Sequence, residues 1–247
     1  MVDEPFIREN EKQLRVSEIY ASVQGEGPRT GMGTVFLRFG GCNLRCPGWP
    51  CDTLYAVDPA YRDEWRKASG SDILDEVTRT CRELNIENVC LTGGEPFLQP
   101  KRDLRHIVTG LLDADIQVEA FSNGQIMYPE WTFEKVNFIM DWKLPGSGNA
   151  ADRTPGLLRM MERNVRMLKP SDAIKLVIKD EEDFRYAINV WEQQEPYTLA
   201  QWWAGIVWDN GNITEAELVD MIQDEGLPWH LNVQTHKYLW APTKRGV

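Results

Sequence analysis

The sequence lacks a long apolar run and an excess of basic residues. No stretch approaches the ~18 apolar residues that a membrane-spanning helix requires. The first residues, Met1 to Pro5, do not have the basic and then apolar order of a signal peptide. We therefore expect a cytoplasmic protein with no membrane association. The net charge of −11 also argues against a nucleic-acid partner, because phosphate backbones bind clustered positive charge.

Internal repeats and low-complexity segments are absent as well. A chain of 247 residues with 42% hydrophobic residues is long enough for one sizeable core. We expect a single domain over residues 1–247, in which residues 1–14 form a polar lead-in. The 5 cysteines are odd in number and unevenly spread, which favours metal binding in a reducing compartment over a disulfide framework.

Three of the cysteines lie close together in one loop. Cys42, Cys46 and Cys51 fall within ten residues, in a loop and polar excursion that we place over residues 36–70. Three thiolates at this spacing can hold three corners of a 4Fe–4S cluster and leave the fourth iron open to a small molecule. A structural zinc site is the alternative. Zinc sites usually close with a fourth Cys or His, and the loop has none nearby.

Strand-like and helix-like segments alternate along the rest of the chain. We predict strands over residues 16–22, 34–39, 88–91, 117–121, 136–140, 174–178, 204–207 and 230–233, and helices over 72–84, 103–112, 156–168, 182–193 and 214–225. Ser71 is the predicted N-cap of the first helix, and Cys81 and Cys90 are expected to pack in the core. This order predicts an α/β fold with a parallel sheet. Because polar motifs follow the strands, we expect an incomplete TIM-type barrel with its site at the carboxyl ends of the strands.

One such motif is Gly93-Gly94-Glu95-Pro96, about forty residues beyond the cysteine loop. The glycines permit close approach of the backbone to a ligand. The cysteine loop and this motif together resemble the radical S-adenosylmethionine (SAM) superfamily. The resemblance implies that SAM binds the open iron, and that the reduced cluster cleaves it to methionine and a 5′-deoxyadenosyl radical.

Further motifs resemble the 7-carboxy-7-deazaguanine synthase family more narrowly. They are Gln24-Gly25-Glu26-Gly27, Arg38, Cys51-Asp52-Thr53, residues 141–148 and Gln234-Thr235-His236-Lys237. The resemblance implies conversion of 6-carboxy-5,6,7,8-tetrahydropterin to 7-carboxy-7-deazaguanine with loss of ammonia, catalytic use of SAM and a requirement for Mg²⁺. It also implies a flavodoxin- or ferredoxin-type electron donor and a homodimer.

The same resemblance assigns roles to individual residues. It implies substrate contacts at Val23, Gln24, Gly25, Glu26, Arg38, Thr92 and His236. It implies SAM contacts at Pro50, Asp52, Gly93, Gly94, Glu95, Ser122, Asp141, Trp142, Lys143 and Gln234. It implies that Cys42, Cys46 and Cys51 bind the cluster and that Thr53 binds Mg²⁺. No side chain is assigned as a catalytic acid or base, because the SAM-derived radical carries the chemistry.

Residue chemistry is compatible with these roles but leaves alternatives. Arg38 lies in an apolar strand, where an unpaired cation is costly; a substrate carboxylate would be a bidentate partner, and a carboxylate of the chain is the alternative. Gln24 and Glu26 offer the groups that a pterin's amide and amino edge would need, or they form an ordinary turn. The Thr53 hydroxyl is a weak but acceptable Mg²⁺ ligand.

The sequence departs from the family in two places. Four residues separate Cys46 from Cys51, where the family usually has two, so the loop must bulge. The chain also continues through 241–247, so a substrate contact made by a chain end in relatives cannot be assumed. Two other functions stay open: a radical SAM activating enzyme that acts on a glycine of a partner protein, and a zinc- or iron-binding interaction module.

Overall fold

The computed structural model describes residues 13–48, 51–151, 154–209, 212–241 and 244–247. Its strands are β1 (Leu14–Val23), β2 (Gly33–Phe39), β3 (Arg66–Ala68), β4 (Asn88–Gly93), β5 (Gln117–Ser122), β6 (Val136–Trp142), β7 (Ala173–Ile178), β8 (Gln201–Ile206) and β9 (His230–Leu231). Its helices are α1 (Leu54–Val57), α2 (Gly70–Leu84), α3 (Lys101–Asp113), α4 (Pro155–Arg166), α5 (Glu181–Gln194), α6 (Glu215–Asp224) and α7 (His236–Leu239). Within these ranges, no helix has both the length and the apolar character to cross a membrane.

These strands form one sheet in the order β3, β1, β2, β4, β5, β6, β7, β8, β9. From β2 onward neighbouring strands are parallel, whereas β1 is antiparallel to both β2 and β3. Among the described residues no pairing joins the edge strands β3 and β9. The predicted α/β fold class is confirmed, and the open sheet is what an incomplete barrel requires.

Several predicted boundaries are corrected. Most of the polar lead-in, residues 1–12, lies outside the described residues, and Leu14 already belongs to β1, where it is fully buried. The excursion before α2 contains α1 and β3, which have only 4 and 3 residues and are too short to show a periodic pattern. Ser69, not Ser71, caps α2, since its extended backbone lets its hydroxyl accept the N–H of Asp72 at 3.2 Å.

The core lies where the helices cover the sheet. Each of α2 and α3 buries one stripe of residues three or four apart, as an amphipathic helix does. The buried residues are Ile73, Val77 and Cys81 in α2, and Leu104, Ile107, Val108 and Leu111 in α3. Cys81 therefore packs in the core, as predicted, and Cys90 is fully buried in β4.

Aromatic rings fill the core next to β6. The Phe138 ring centroid lies 4.4 Å from that of Tyr128 and 5.7 Å from that of Phe97. Both Phe138 and Tyr128 are essentially inaccessible to solvent. Phe138 therefore fixes the position of the strand that carries Asp141 into the site.

We predict that Phe138→Ala lowers the free energy of unfolding by about 3–5 kcal/mol, because it leaves a cavity where a buried aromatic side chain was. Urea denaturation of the metal-free protein measures the change. Leu199→Ala is the matched control, since Leu199 is 73% exposed and its loss is expected to cost no more than about 0.5 kcal/mol. Equal effects of the two substitutions would contradict this description of the core.

Candidate active site

A pocket of about 800 Å³ lies at the carboxyl ends of the parallel strands. It brings together most of the residues singled out from the sequence. These are Val23, Gln24, Gly25, Glu26, Arg38, Cys42, Cys46, Cys51, Asp52, Thr53, Thr92, Gly93, Gly94, Ser122, Asp141, Lys143, Gln234 and His236. Val247 lines the same pocket, so the last stretch of the sequence reaches the site. Pro50, a predicted SAM contact, lies outside the described residues.

The three clustered cysteines are free, partly exposed thiols that line this pocket. Two N–H groups point at the sulfur of Cys42: the backbone amide of Leu44 at 3.4 Å and the side-chain amide of Asn123 at 3.7 Å. Burial raises the pKa of the Cys42 thiol to about 11, so metal binding there has to displace a proton. Hydrogen bonds to sulfur are typical of iron–sulfur ligands, and the soft donor set fits a 4Fe–4S cluster. In the part of the chain that the structure describes, no group of three or more His, Cys, Asp or Glu is arranged to hold a single metal ion.

The Gly-Gly-Glu motif touches the start of the cysteine loop through the backbone. The N–H of Gly94 donates to the carbonyl of Phe39 at 3.0 Å, and that of Glu95 donates to the carbonyl of Gly41 at 2.8 Å. A Cβ on Gly94 would lie 2.0 Å from the Gly41 oxygen, and Gly93 has φ +123°. The glycines therefore allow the two backbones to meet, besides any approach that they give a ligand.

The Glu95 side chain does not line the pocket. It is fully buried, and its carboxylate accepts hydrogen bonds from the Phe97 amide (3.1 Å), the Ser122 hydroxyl (3.0 Å) and the Asn123 amide (2.9 Å). Burial raises the pKa of Glu95 to about 7. Trp142, another predicted SAM contact, is 1% exposed and also lies outside the pocket lining. Glu95 thus accepts the backbone N–H of Asn123 and holds the turn after β5 in place. That turn brings the side-chain amide of Asn123 to Cys42.

Glu26 is the most connected carboxylate of the pocket. Its Oε1 accepts from Lys175 Nζ at 2.6 Å, Gln234 Nε2 at 3.1 Å and Asn232 Nδ2 at 3.2 Å. Burial opposes ionisation, but the ion pair with Lys175 prevails and lowers the pKa of Glu26 to about 2. No described residue donates to Oε2, so one edge of the carboxylate is left to a ligand. Gln24, next to it, is 3% exposed, and its amide donates to Glu119 Oε1.

Lys175 was not predicted from the sequence. It lies in the pocket with its ammonium 6.0 Å from the ring centroid of Phe121. The sequence did contain an indication of this role, because Lys175 is a charged residue inside the apolar strand β7. Arg38 in β2 was identified from the same kind of pattern.

Arg38 has partners within the chain. Its Nε donates to Glu18 Oε1 and its Nη2 to the Tyr20 hydroxyl, both at 2.7 Å. The side chain is 12% exposed and lines the pocket. A carboxylate of the chain, the alternative considered from the sequence, therefore does pair with Arg38, on one edge of the guanidinium.

A second ion pair lies beside Cys46. Lys143 Nζ donates to Asp141 Oδ2 at 2.7 Å, and although burial opposes the charge, Asp141 and the nearby Cys46 raise the pKa of Lys143. The other oxygen, Asp141 Oδ1, is buried without a partner among the described residues. An unpaired buried acceptor is costly, so this oxygen is placed for a donor on a bound ligand.

The last helix closes the pocket. A Cβ on Gly25 would lie 2.2 Å from His236 Nδ1, so the imidazole packs directly on this glycine, and its burial lowers the pKa of His236. Lys237 is 5% exposed on its side chain and donates to Asp52 Oδ2 at 2.9 Å. The start of α7 is thereby joined both to the turn after β1 and to the cysteine loop.

Comparison with known proteins agrees with this geometry. Residues 23–136 match the family described as a 4Fe-4S single cluster domain. The 7-carboxy-7-deazaguanine synthase of Clostridium acetobutylicum is 31% identical over 94% of this chain and 99% of its own length. The enzyme of the same name from Leptospira interrogans is 32% identical over 94% of this chain and 97% of its own. The crystal structure of QueE from Escherichia coli shares the fold, with a TM-score of 0.68 at 19% identity, over 95% of this chain and 99% of that one.

The mostly parallel open sheet, the three-cysteine loop at its carboxyl edge and the relatives just named define an iron–sulfur enzyme of the radical SAM class. The identities extend over nearly the whole of this chain and of its relatives. The chain belongs to the 7-carboxy-7-deazaguanine synthase family.

We predict that Lys175→Met lowers the free energy of unfolding by about 2–4 kcal/mol, because it leaves Glu26, whose side chain is only 15% exposed, without its cation. Urea denaturation of the metal-free protein at pH 7 measures this loss. The double variant Glu26→Gln/Lys175→Met should recover most of it, since it leaves no unpaired charge. The ordinary pKa of a glutamate is 4.5, and in the wild type the pKa of Glu26 is lowered to about 2. The ion pair therefore stabilises the fold fully at pH values above 4.5, and this stabilisation is lost as the pH falls toward 2. A loss below about 1 kcal/mol in the single variant would contradict the ion pair.

Proposed function

We propose that the protein converts 6-carboxy-5,6,7,8-tetrahydropterin to 7-carboxy-7-deazaguanine and releases ammonia. The observation that carries the proposal is that Arg38, a largely buried cation suited to a carboxylate, shares one pocket with the cysteine loop in a chain of this family. An activating enzyme for a partner protein would share the cluster but has no need for such a cation. An interaction module would need neither.

Cys42, Cys46 and Cys51 would hold the cluster. When bound, the reduced cluster supplies the electron that breaks the sulfonium of SAM, and so provides a radical able to remove a hydrogen atom from the substrate. Asp141 Oδ1, buried and unpaired, would accept from an ammonium group, and Lys143 beside it would bind a carboxylate. Gly93, Gly94, Ser122, Asp52 and Gln234 would complete the SAM site, while Glu95 and Trp142 would support it from behind.

Substrate binding is assigned to the other side of the pocket. Arg38 would take the carboxylate with the guanidinium edge that Glu18 and Tyr20 leave free. Glu26 Oε2 would accept from the N–H groups of the pterin, because Oε1 already has three donors. Val23, Gln24, Gly25, Thr92 and His236 would surround the ring.

Thr53 would provide a ligand for Mg²⁺. Its hydroxyl has only long contacts within the chain, 3.5 Å to the carbonyl of Gly93 and 3.7 Å to the sulfur of Cys51. It is therefore available to a hard cation, whose remaining positions the substrate carboxylate and water would fill. From the family resemblance we further propose a flavodoxin- or ferredoxin-type electron donor, a homodimer and a single cytoplasmic domain.

The anaerobically reconstituted protein, supplied with dithionite, SAM, Mg²⁺ and carboxytetrahydropterin, is expected to form carboxydeazaguanine. Mass spectrometry of the products measures this. Cys51→Ala is the control, and it should lose both the cluster absorption and the product. An intact cluster that cleaves SAM without forming the product would favour the activating enzyme, whereas no reducible cluster and no deoxyadenosine would favour the interaction module.

Arg38→Lys is expected to lower kcat/KM for carboxytetrahydropterin by about 10- to 100-fold, because a point charge replaces a planar fork. SAM cleavage in the absence of substrate should change much less. Comparing the two rates on one preparation tests this. Equal loss of both would show that Arg38 acts on the cluster or on SAM rather than on the substrate.

A further inference from the structure

Three side chains on neighbouring strands form a row across the sheet at one side of the pocket. In the strand registers Glu18 of β1 is paired with Arg38 of β2, and Arg38 with Thr92 of β4. Arg38 and Thr92 line the pocket, whereas Glu18 does not. No role has so far been assigned to Glu18, although it is the direct neighbour of the cation proposed to bind substrate.

Glu18 and Tyr20 accept the hydrogen bonds from one edge of the Arg38 guanidinium. A guanidinium has five N–H donors in a rigid plane, and Nε and Nη2 lie on the same side edge. Nε donates to Glu18 and Nη2 to Tyr20, each at 2.7 Å. Among the described residues nothing accepts from Nη1. The edge formed by Nη1 and the second hydrogen of Nη2 is therefore the one left for a planar, two-oxygen ligand.

Both acceptors are held in place themselves. Glu18 Oε1 also accepts from the Tyr55 hydroxyl at 2.6 Å, and Tyr55 belongs to α1, the helix that begins directly after Thr53. The Tyr20 ring stacks on Phe36, with centroids 5.0 Å apart and planes 9° from parallel. The guanidinium is thus held along one edge by two anchored acceptors before any ligand arrives, and a fixed binding group loses less entropy on binding.

We propose that Glu18 is a positioning residue, which holds Arg38 in the orientation that binds the ligand's carboxylate through the Nη1–Nη2 edge. The inference rests on the proposed function only for the chemical class of ligand, a pterin that carries a carboxylate. It adds a requirement that the proposed function does not contain, namely that carboxylate recognition depends on a residue outside the pocket lining.

If Glu18 acted only through its charge, it would weaken the binding of the ligand's carboxylate instead of strengthening it. Glu18 is an anion close to where a second anion would bind, so its charge alone opposes the ligand's carboxylate. Removing the charge should then strengthen binding of the carboxylate, whichever residue replaces Glu18. Orientation, by contrast, depends on the acceptor atom. Both hydrogen bonds to Glu18 end on Oε1, so the carbonyl oxygen of glutamine can keep them without the charge.

The test uses the anaerobically reconstituted protein and two probes, 6-carboxypterin and pterin. Equilibrium dialysis gives Kd for each, and the ratio of the two Kd values is the carboxylate preference. We expect Glu18→Gln to keep or increase the preference of the wild type. We expect Glu18→Ala to reduce it about tenfold, a coupling typical of residues in direct contact, and to raise KM for carboxytetrahydropterin more than it lowers kcat. Tyr20→Phe, which keeps the ring, should cause a smaller reduction.

An increase of the preference in both Glu18 variants would overturn the proposal in favour of a charge effect, and an unchanged preference in Glu18→Ala would overturn it outright. If Glu18→Ala does not retain its cluster, Glu18→Met, with a side chain of similar length, takes its place and has the same expected result. A preference that depends on Glu18 in a protein that forms no carboxydeazaguanine would overturn the proposed function and leave this inference standing. A wild type that binds both probes equally would overturn the inference.

Discussion

The contact between two stretches of backbone is the constraint on which the site depends. Where β4 ends, Gly94 lies so close to Gly41 that no side chain fits between them. This contact fixes where the cysteine loop begins. It also places Glu95 behind the loop, where its carboxylate orders the turn after β5 and so brings Asn123 to the sulfur of Cys42. The surroundings of the Cys42 thiol are thus built from the ends of three neighbouring strands.

The pocket is rich in paired charges although the chain is strongly acidic. Arg38, Lys143 and Lys175 each bind one carboxylate of the chain, and these carboxylates are Glu18, Asp141 and Glu26. Ion pairs taken out of water contribute little net stability. What they provide is orientation, because Arg38, Asp141 and Glu26 each keep one edge or one oxygen unused. A ligand therefore meets groups whose direction is already set.

Much of the fold and of the candidate site could be predicted from the sequence. The cysteine loop and the Gly-Gly-Glu motif are local patterns, and the alternation of strands and helices placed them at the same edge of the sheet. Strand β1 was predicted over residues 16–22, but its antiparallel direction was not, and β3 was missed because it has only 3 residues. Lys175 was missed, since its partner Glu26 is 149 positions away and only the folded chain brings them together. The internal role of Glu95 was hidden for the same reason.

The pocket joins the two ends of the described chain. The carbonyl of Gly25 accepts from the amide of Thr235, and Glu26 accepts from Gln234, 208 positions later. Along the chain the cysteines precede the groups of α7 and of the turn before it, so they leave the ribosome before the groups that close the pocket over them. A growing polypeptide therefore carries all three clustered cysteines before it can enclose a ligand at them. Contacts so distant in sequence also form slowly, so the thiols stay accessible to solvent and to reagents during synthesis until α7 docks.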